Sequence, residues 1–223
     1  MARSSRRTAS RADLRYPVII DHVAAVVADP AGFTADLLAR HGLGSEPGPY
    51  LPLAGTRGYN VPLIPPAYVE VLGLEDRAVA AATESGRRAL ACEARGGGLL
   101  AWAVLVDDLE AVSQRLGIDI FDYTIDHGDG TLRGWRAVSG PARLPFFIDY
   151  PNNGDRLGRW QAMYDRVGHG SAPNRFLELT ISGSRGEMAD WLGPNDLALR
   201  FVEGRDGIVE ARIGTASGDV VLR

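Results

Sequence analysis

The fold is decided by VIIDHVAAVV (residues 18–27) and GLLAWAVLV (residues 98–106), two apolar runs that open the same series of elements twice. After the first run, Asp29 opens a helical pattern, and YNVPLI (59–64) and AYVEVLG (67–73) follow. After the second, Asp108 opens a helical pattern, and TLRGWRAV (131–138) and LPFFIDY (144–150) follow. The apolar runs predict strands, and aspartate is a favoured helix N-cap. We therefore predict an α+β fold of paired βαβββ modules, with curved mixed sheets around a shared cleft.

The repeat also predicts which residues occupy equivalent positions. When Asp29 is superposed on Asp108, His22 falls on Ala101 and Glu70 falls on Asp149. His22 and Glu70 are 48 positions apart in the first copy, and Ala101 and Asp149 are 48 positions apart in the second. Polar residues at equivalent strand ends are expected to converge in the cleft.

Composition shifts divide the chain further. A third, shorter strand-helix-strand pattern predicts a smaller βαβββ-like module at the C-terminal end, in a structural role that extends or dimerises the sheet. The predicted limits are a disordered basic tail (1–16), the first module (17–74), a linker (75–97), the second module (98–151), a loop with one helical turn (152–174) and the third module (175–223).

Composition excludes several classes of function. The formal net charge is −4, which favours neither nucleic acid nor an anionic membrane as a partner. All 24 basic residues are arginine, so a lysine Schiff base and a P-loop lysine are excluded. The single cysteine, Cys92, excludes an internal disulfide. The basic tail has no apolar segment behind it, so we expect no secretory signal and a cytoplasmic protein.

Six short matches, taken in order and spacing, resemble the glyoxalase-like domains of the vicinal oxygen chelate (glyoxalase/bleomycin resistance/dioxygenase) superfamily. They cover roughly residues 17–151 of the chain. The matching segments are Asp21-His22-Val23, Gly55-Thr56-Arg57, Tyr68-Val69-Glu70, Asp107-Asp108-Leu109-Glu110, Asp129-Gly130 followed by Trp135, and Leu144-Pro145-Phe146-Phe147-Ile148-Asp149.

The resemblance implies a divalent metal (Mn, Fe, Ni, Mg or Zn) in the cleft, and no organic cofactor. It places His22, Glu70 and Asp149 as metal ligands, with Glu70 also the catalytic candidate. The chain departs from the family pattern at Ala101, where a second histidine would stand, and a one-residue slip would put Trp102 there. The rival interpretations are a hydrogen bond between His22 and Glu70 without metal, and Asp149 as the cap of the following turn.

Other residues are candidates for contact with a small-molecule substrate. Arg57 and Asn60 lie on a strand expected to line the cleft, where an arginine would hold a carboxylate. Arg133 and Trp135 alternate on one strand and share a face, offering a cation and a stacking surface. Trp102, Phe146 and Phe147 are expected in the core, with at least one of them, such as Trp102 or Phe147, in the pocket wall.

These candidates leave three functions open. The first is a metal-dependent lyase or isomerase acting on a small oxygen-rich metabolite. The second is a metal-free protein that binds or sequesters a small molecule in the same cleft. The third is assembly alone, for example as a homodimer.

Overall fold

The computed structural model describes residues 18–126, 132–151 and 155–223, without the side chains of residues 126, 132 and 133. The predicted α+β class is confirmed: helices pack on one sheet of eight strands and another of four. The predicted tail (1–16) and the predicted turn at residues 127–130 lie outside the described residues. In the described part, no helix is both long enough and apolar enough to span a membrane.

The eight-stranded sheet is built from the two predicted modules. The first module contains β1 (Ile19–Val26), α1 (Pro30–His41), β2 (Glu46–Pro47), β3 (Thr56–Pro62) and β4 (Tyr68–Leu74). The second contains β5 (Gly98–Leu105), α4 (Leu109–Leu116), β6 (Phe121–Asp126), β7 (Leu132–Val138) and β8 (Phe146–Asp149). The strand order is β2-β3-β4-β1-β5-β8-β7-β6. The opening strands β1 and β5 pair antiparallel at the centre, so the modules meet there.

The two module helices begin and end as their sequences indicate. Asp29 caps α1 by accepting from the Gly32 amide at 3.0 Å, and Asp108 caps α4 by accepting from the Ala111 amide at 2.8 Å. Left-handed glycines end both helices, a conformation that glycine adopts without strain.

Two segments outside the modules are helical. The linker, whose sequence indicates a connecting helix or helix-loop, forms α2 (Arg77–Ala82) and α3 (Glu84–Glu93). The segment predicted as a loop with one helical turn contains α5 (Arg156–Arg166), an 11-residue helix capped by Asp155.

The third module forms a sheet of its own. Its elements are β9 (Phe176–Ser182), α6 (Arg185–Leu192), β10 (Leu199–Val202), β11 (Gly207–Thr215) and β12 (Gly218–Leu222). The strand order is β10-β9-β11-β12, and β11 packs on β5. The side chains of this module complete the main hydrophobic core instead of extending the large sheet.

The large sheet has two different faces. One, here called the helix face, carries Val23, Trp102 and Phe147, which pack against α1, α4 and the third module. The other, here called the His22 face, carries the alternate residues of the same strands. There α3 covers Ala24 and neighbouring apolar residues. The position of a residue along its strand therefore decides which face it joins.

Candidate functional site

An irregularity in β1 brings two polar side chains to the same side of the sheet. The register against β5 shifts between Ile20 and His22, so Asp21 is the extra residue of a β-bulge. Bulges re-aim side chains in this way. Both residues are buried, Asp21 completely and His22 to 5 % exposure. Their side chains meet, with His22 Nδ1 2.8 Å from Asp21 Oδ2.

The Asp21 carboxylate is the centre of a buried polar network. Its Oδ1 accepts from Arg156 Nη2 at 2.5 Å, and its Oδ2 accepts from the Tyr150 hydroxyl at 2.9 Å. Because an ionised carboxylate only accepts, Nδ1 of His22 is a donor to the same Oδ2. When the imidazole is neutral, this bond fixes the tautomer in which Nε2 carries the lone pair.

Aromatic rings stack outward from His22. The imidazole lies on the Tyr68 ring at 4.7 Å between centroids, and Tyr68 lies on the Trp160 ring at 4.2 Å. Phe146 meets the imidazole edge at 5.4 Å. Trp160 belongs to α5, so this helix covers the site and encloses the His22 ring.

Glu70 lies on the same face as His22 and Tyr68, two residues after Tyr68 on β4. In the strand register it is level with Ala24 on β1 and Asn60 on β3. The side chain is half-buried and has no hydrogen bond or ion pair to another described residue. Burial raises the pKa of its carboxyl; nearby His22 opposes this rise and Asp21 adds to it. Glu70 is thus a carboxyl group with a raised pKa on the same face as the oriented imidazole.

The remaining ionisable groups of the network are held in one charge state. Burial raises the pKa of the Tyr68 and Tyr150 hydroxyls well above the ordinary value, so both remain proton donors. Burial alone would lower the pKa of the Arg156 guanidinium, but Tyr150 and Asp21 raise it. Arg156 is therefore a permanent cation beside the Asp21 anion.

Asp149 does not join His22 and Glu70, because it lies on the helix face. There it forms a two-point ion pair with Arg136, which also pairs with Glu110. The rival interpretation of Asp149 as the cap of the following turn involves residues 152–154, which lie outside the described residues.

The strand register explains why the repeat did not predict that Asp149 lies on the helix face. In the first module Tyr68 pairs with His22, 46 residues earlier, whereas in the second Phe146 pairs with Ala103, 43 residues earlier. A difference of three residues is odd, and an odd shift turns a strand's side chains to the other face.

The predicted donor set is consequently not assembled. Among residues 18–126, 132–151 and 155–223, no group of three or more His, Cys, Asp or Glu side chains could hold a metal ion. His22 and Glu70 share a face, and Ala101 is on that face too, level with Ala24. The rival interpretation is a hydrogen bond between His22 and Glu70; the described hydrogen bond of His22 runs from Nδ1 to Asp21 instead.

The predicted substrate-contact residues have mixed positions. Asn60 is buried beside Glu70, and Trp135 is half-buried on the His22 face, stacked on Tyr123 at 5.3 Å. Trp102 and Phe147 are fully packed in the core of the helix face.

The structure describes the side chain of only one of the two predicted arginines. Arg57 is exposed and is paired with Glu75 through two hydrogen bonds. Arg133 is level with Ile125 in the backbone register, and its side chain is outside the described residues.

Sequence reasoning missed most of the network. It omitted Asp21, Tyr68, Tyr150, Arg156 and Trp160 as site residues. One signal was available for Asp21, since two adjacent polar residues break the alternation of an apolar strand. No comparable signal marked Arg156 and Trp160, which come from a helix outside both modules.

A separate groove of about 420 Å³ lies elsewhere on the molecule. Its lining residues are Ala25, Val27, Asp29, Phe33, Gly96, Gly97, Gly98, Leu99, Leu222 and Arg223. None of them belongs to the network around Asp21.

A family model and one solved structure agree with the fold described above. A family model described as a glyoxalase-like domain matches residues 20–193. A hypothetical protein from Staphylococcus aureus is similar in structure, with a TM-score of 0.65 at 14 % identity, over 92 % of this chain and 98 % of that one. Methylmalonyl-CoA epimerase from Mycobacterium tuberculosis gives a TM-score of 0.45 at 17 % identity, over 63 % and 91 %. A search of curated proteins gives no match.

Proposed function

This chain belongs to the glyoxalase-like domain family, and from that premise we propose that it is a lyase or isomerase that moves a proton on a small oxygen-rich metabolite. The observation that supports the proposal is that Glu70 and His22 lie on the same face of the sheet. One is a half-buried carboxyl group without a described partner and with a raised pKa. The other is an imidazole held by a buried aspartate. Two titratable groups in different environments on one face can serve as the acid and the base of a proton transfer.

The two groups have different roles in this proposal. The free lone pair on His22 Nε2 accepts a proton from a carbon next to a carbonyl group. The protonated Glu70 carboxyl donates its proton to the carbonyl oxygen, which gives an enol. Return of a proton to a different carbon completes an isomerisation, and loss of a neighbouring leaving group completes an elimination. Asp21 stabilises the imidazolium that forms in the first step.

The proposed steps do not depend on a bound metal. His22 and Glu70 would supply an imidazole nitrogen and a carboxylate to a divalent ion, which would act as a Lewis acid when bound. The third predicted ligand, Asp149, faces the other side of the sheet. The donor set therefore does not fit, and no step above passes through a metal.

Access to the site depends on α5. Because Trp160 stacks on Tyr68 and Tyr68 stacks on His22, a substrate reaches the imidazole only after Trp160 has moved aside. The proposal thus includes an opening movement of this side chain.

Hydrogen–deuterium exchange tests the proposal. The protein is incubated in D2O with pyruvate, 2-oxobutyrate, lactate, hydroxyacetone and their primary amides where these exist, and deuterium on carbon is followed by NMR. We expect exchange with at least one compound, reduced about 100-fold or more in Glu70→Gln and His22→Gln. Glu75→Gln is the matched control, since Glu75 is an exposed glutamate paired with Arg57. Exchange that survives both site substitutions would refute the assigned roles.

A binding protein is the second candidate, and one observation favours it. Tyr123 and Trp135 form a nearly parallel stacked pair, 16° between ring planes, on the His22 face. Such a pair offers a flat surface to a planar ligand. Thermal stabilisation by aromatic compounds, without exchange on any compound tested, would identify a binder. Elemental analysis of the same preparations shows whether a metal accompanies either activity.

A further inference from the structure

We infer that Arg156 binds a carboxylate group of the substrate, so that the substrate class is small carboxylic acids; this inference rests on the proposed function of the same site. Arg156 was not among the predicted site residues. It is 8 % exposed and lies at the start of α5, in contact with the carboxylate that orients His22.

The hydrogen bonds of Asp21 leave Arg156 with unused donors. Asp21 accepts from Arg156 Nη2, the Tyr150 hydroxyl and His22 Nδ1, which occupies both of its oxygens. The Arg156 Nε is buried and has no hydrogen-bond partner among the described residues. A buried donor without a partner is unfavourable, and an oxygen from a ligand would satisfy it.

Other arginines of this chain show what a satisfied guanidinium looks like. In the ion pairs of Arg57, Arg136 and Arg143, Nε and Nη2 both bond to one carboxylate. That edge is the two-point binding edge for a carboxylate. These pairs are more exposed than Arg156, which is the most enclosed of the four and still leaves its Nε unpaired.

The orientation of the guanidinium is fixed. Its Cζ lies 3.7 Å from the centroid of the Tyr150 ring, so the cation rests on an aromatic face. The Tyr150 hydroxyl is itself held by Asp21. The donor groups of Arg156 are therefore presented by a supported group, and less freedom is lost when a ligand binds.

The charges around Arg156 allow an anion to approach. Asp21 carries one negative charge and Arg156 one positive charge, and burial favours the neutral form of Glu70. A carboxylate on Arg156 would lie near the His22 imidazole, because Asp21 bonds to both Arg156 and His22. This places the charged group of the substrate beside the carbon that reacts.

The first test uses the natural protein with matched acids and amides. Isothermal titration calorimetry compares pyruvate with pyruvamide and lactate with lactamide, which differ in charge but little in size. We expect at least one acid to bind about 10- to 100-fold more tightly than its amide, the range of a charge-assisted hydrogen bond. Equal affinities within every pair, or binding of neither member of any pair, would overturn the inference.

Variants then locate the preference. Arg156→Gln should abolish the preference for the acid, and Arg156→Lys should retain part of it. Arg166→Gln is the control on the same helix, where the arginine pairs with Glu46 at the surface and should not affect the preference. Circular dichroism and urea unfolding show whether each variant folds, and the comparison of acid with amide does not depend on the variants.

The outcomes separate this inference from the proposed function. Exchange on amides as fast as on acids would keep the acid–base function and overturn the role of Arg156. Tight binding of acids with no exchange on any compound would keep Arg156 as the anion site and refute the function. In Glu70→Gln we expect the acid to bind as in the natural protein while exchange is lost.

Discussion

Replacing Asp21 with asparagine should destabilise the fold strongly, because this carboxylate holds three buried donors. Asp21 is completely buried and Arg156 nearly so. An asparagine side chain keeps one acceptor oxygen and turns an N–H group toward other donors, which leaves the Arg156 cation without its counter-ion. Breaking a buried ion pair in this way costs about 3–5 kcal/mol. That is a large part of the ~5–15 kcal/mol that stabilises a typical domain.

Urea unfolding followed by tryptophan fluorescence measures this loss. The matched control is Asp36→Asn, which removes an exposed pair with Arg40 and should cost about 0.5 kcal/mol or less. The double variant Asp21→Asn, Arg156→Gln should lose clearly less than the sum of the two single variants, since the second change removes the stranded cation. Equal losses for Asp21→Asn and Asp36→Asn would refute the buried network as a source of stability.

Three further predictions concern Glu70 and Trp160 at the His22 face and Asp149 on the helix face. Glu70→Gln should stabilise the protein near neutral pH: because burial raises the pKa of Glu70 in the folded state, this carboxyl lowers the unfolding free energy at pH values above the ordinary glutamate value of 4.5. In a pH series of unfolding curves, the gain from Glu70→Gln should therefore disappear as the pH falls below 4.5. Asp149→Asn should leave deuterium exchange unchanged and lower the unfolding free energy by about 1 kcal/mol, because Asp149 only pairs with Arg136; loss of exchange would show that it acts in the site. Trp160→Ala should cost at least ~0.5–1.5 kcal/mol in urea unfolding, the contribution of an aromatic pair, and an unchanged midpoint would contradict the stacking described.

The duplicated pattern of the sequence was sufficient to predict the modules. Helix N-caps depend on local chemistry, so Asp29 and Asp108 marked both module helices correctly. The burial of alternate residues follows from the period of a strand, and β1, β3 and β4 lie within a few residues of the predicted runs.

The face on which each site residue lies could not be predicted from the repeat. A spacing of 48 residues is shared by the pairs His22–Glu70 and Ala101–Asp149, but pairing between strands is set by packing across the sheet. The second module pairs its strands with an offset three residues shorter, and this odd difference moves Asp149 to the helix face.

The residues that complete the site come from features without a sequence period. A single bulge at Asp21 turns two adjacent residues to one face, and bulges are set by the pairing of two distant strands. Arg156 and Trp160 reach the site from α5, whose position depends on tertiary contacts such as the bond from Tyr164 to the Pro173 carbonyl.

Titration of Glu70 by NMR most directly tests the central claim that a carboxyl group and an oriented imidazole share one enclosed face. Protein labelled with 13C on glutamate side chains is titrated, and Glu70→Gln identifies the signal. We expect Glu70 to have a pKa above the ordinary glutamate value of 4.5, and we expect His22→Gln to raise it further, because His22 opposes the rise caused by burial. A pKa at or below that value, unaffected by His22→Gln, would show that Glu70 lies in water and apart from the imidazole.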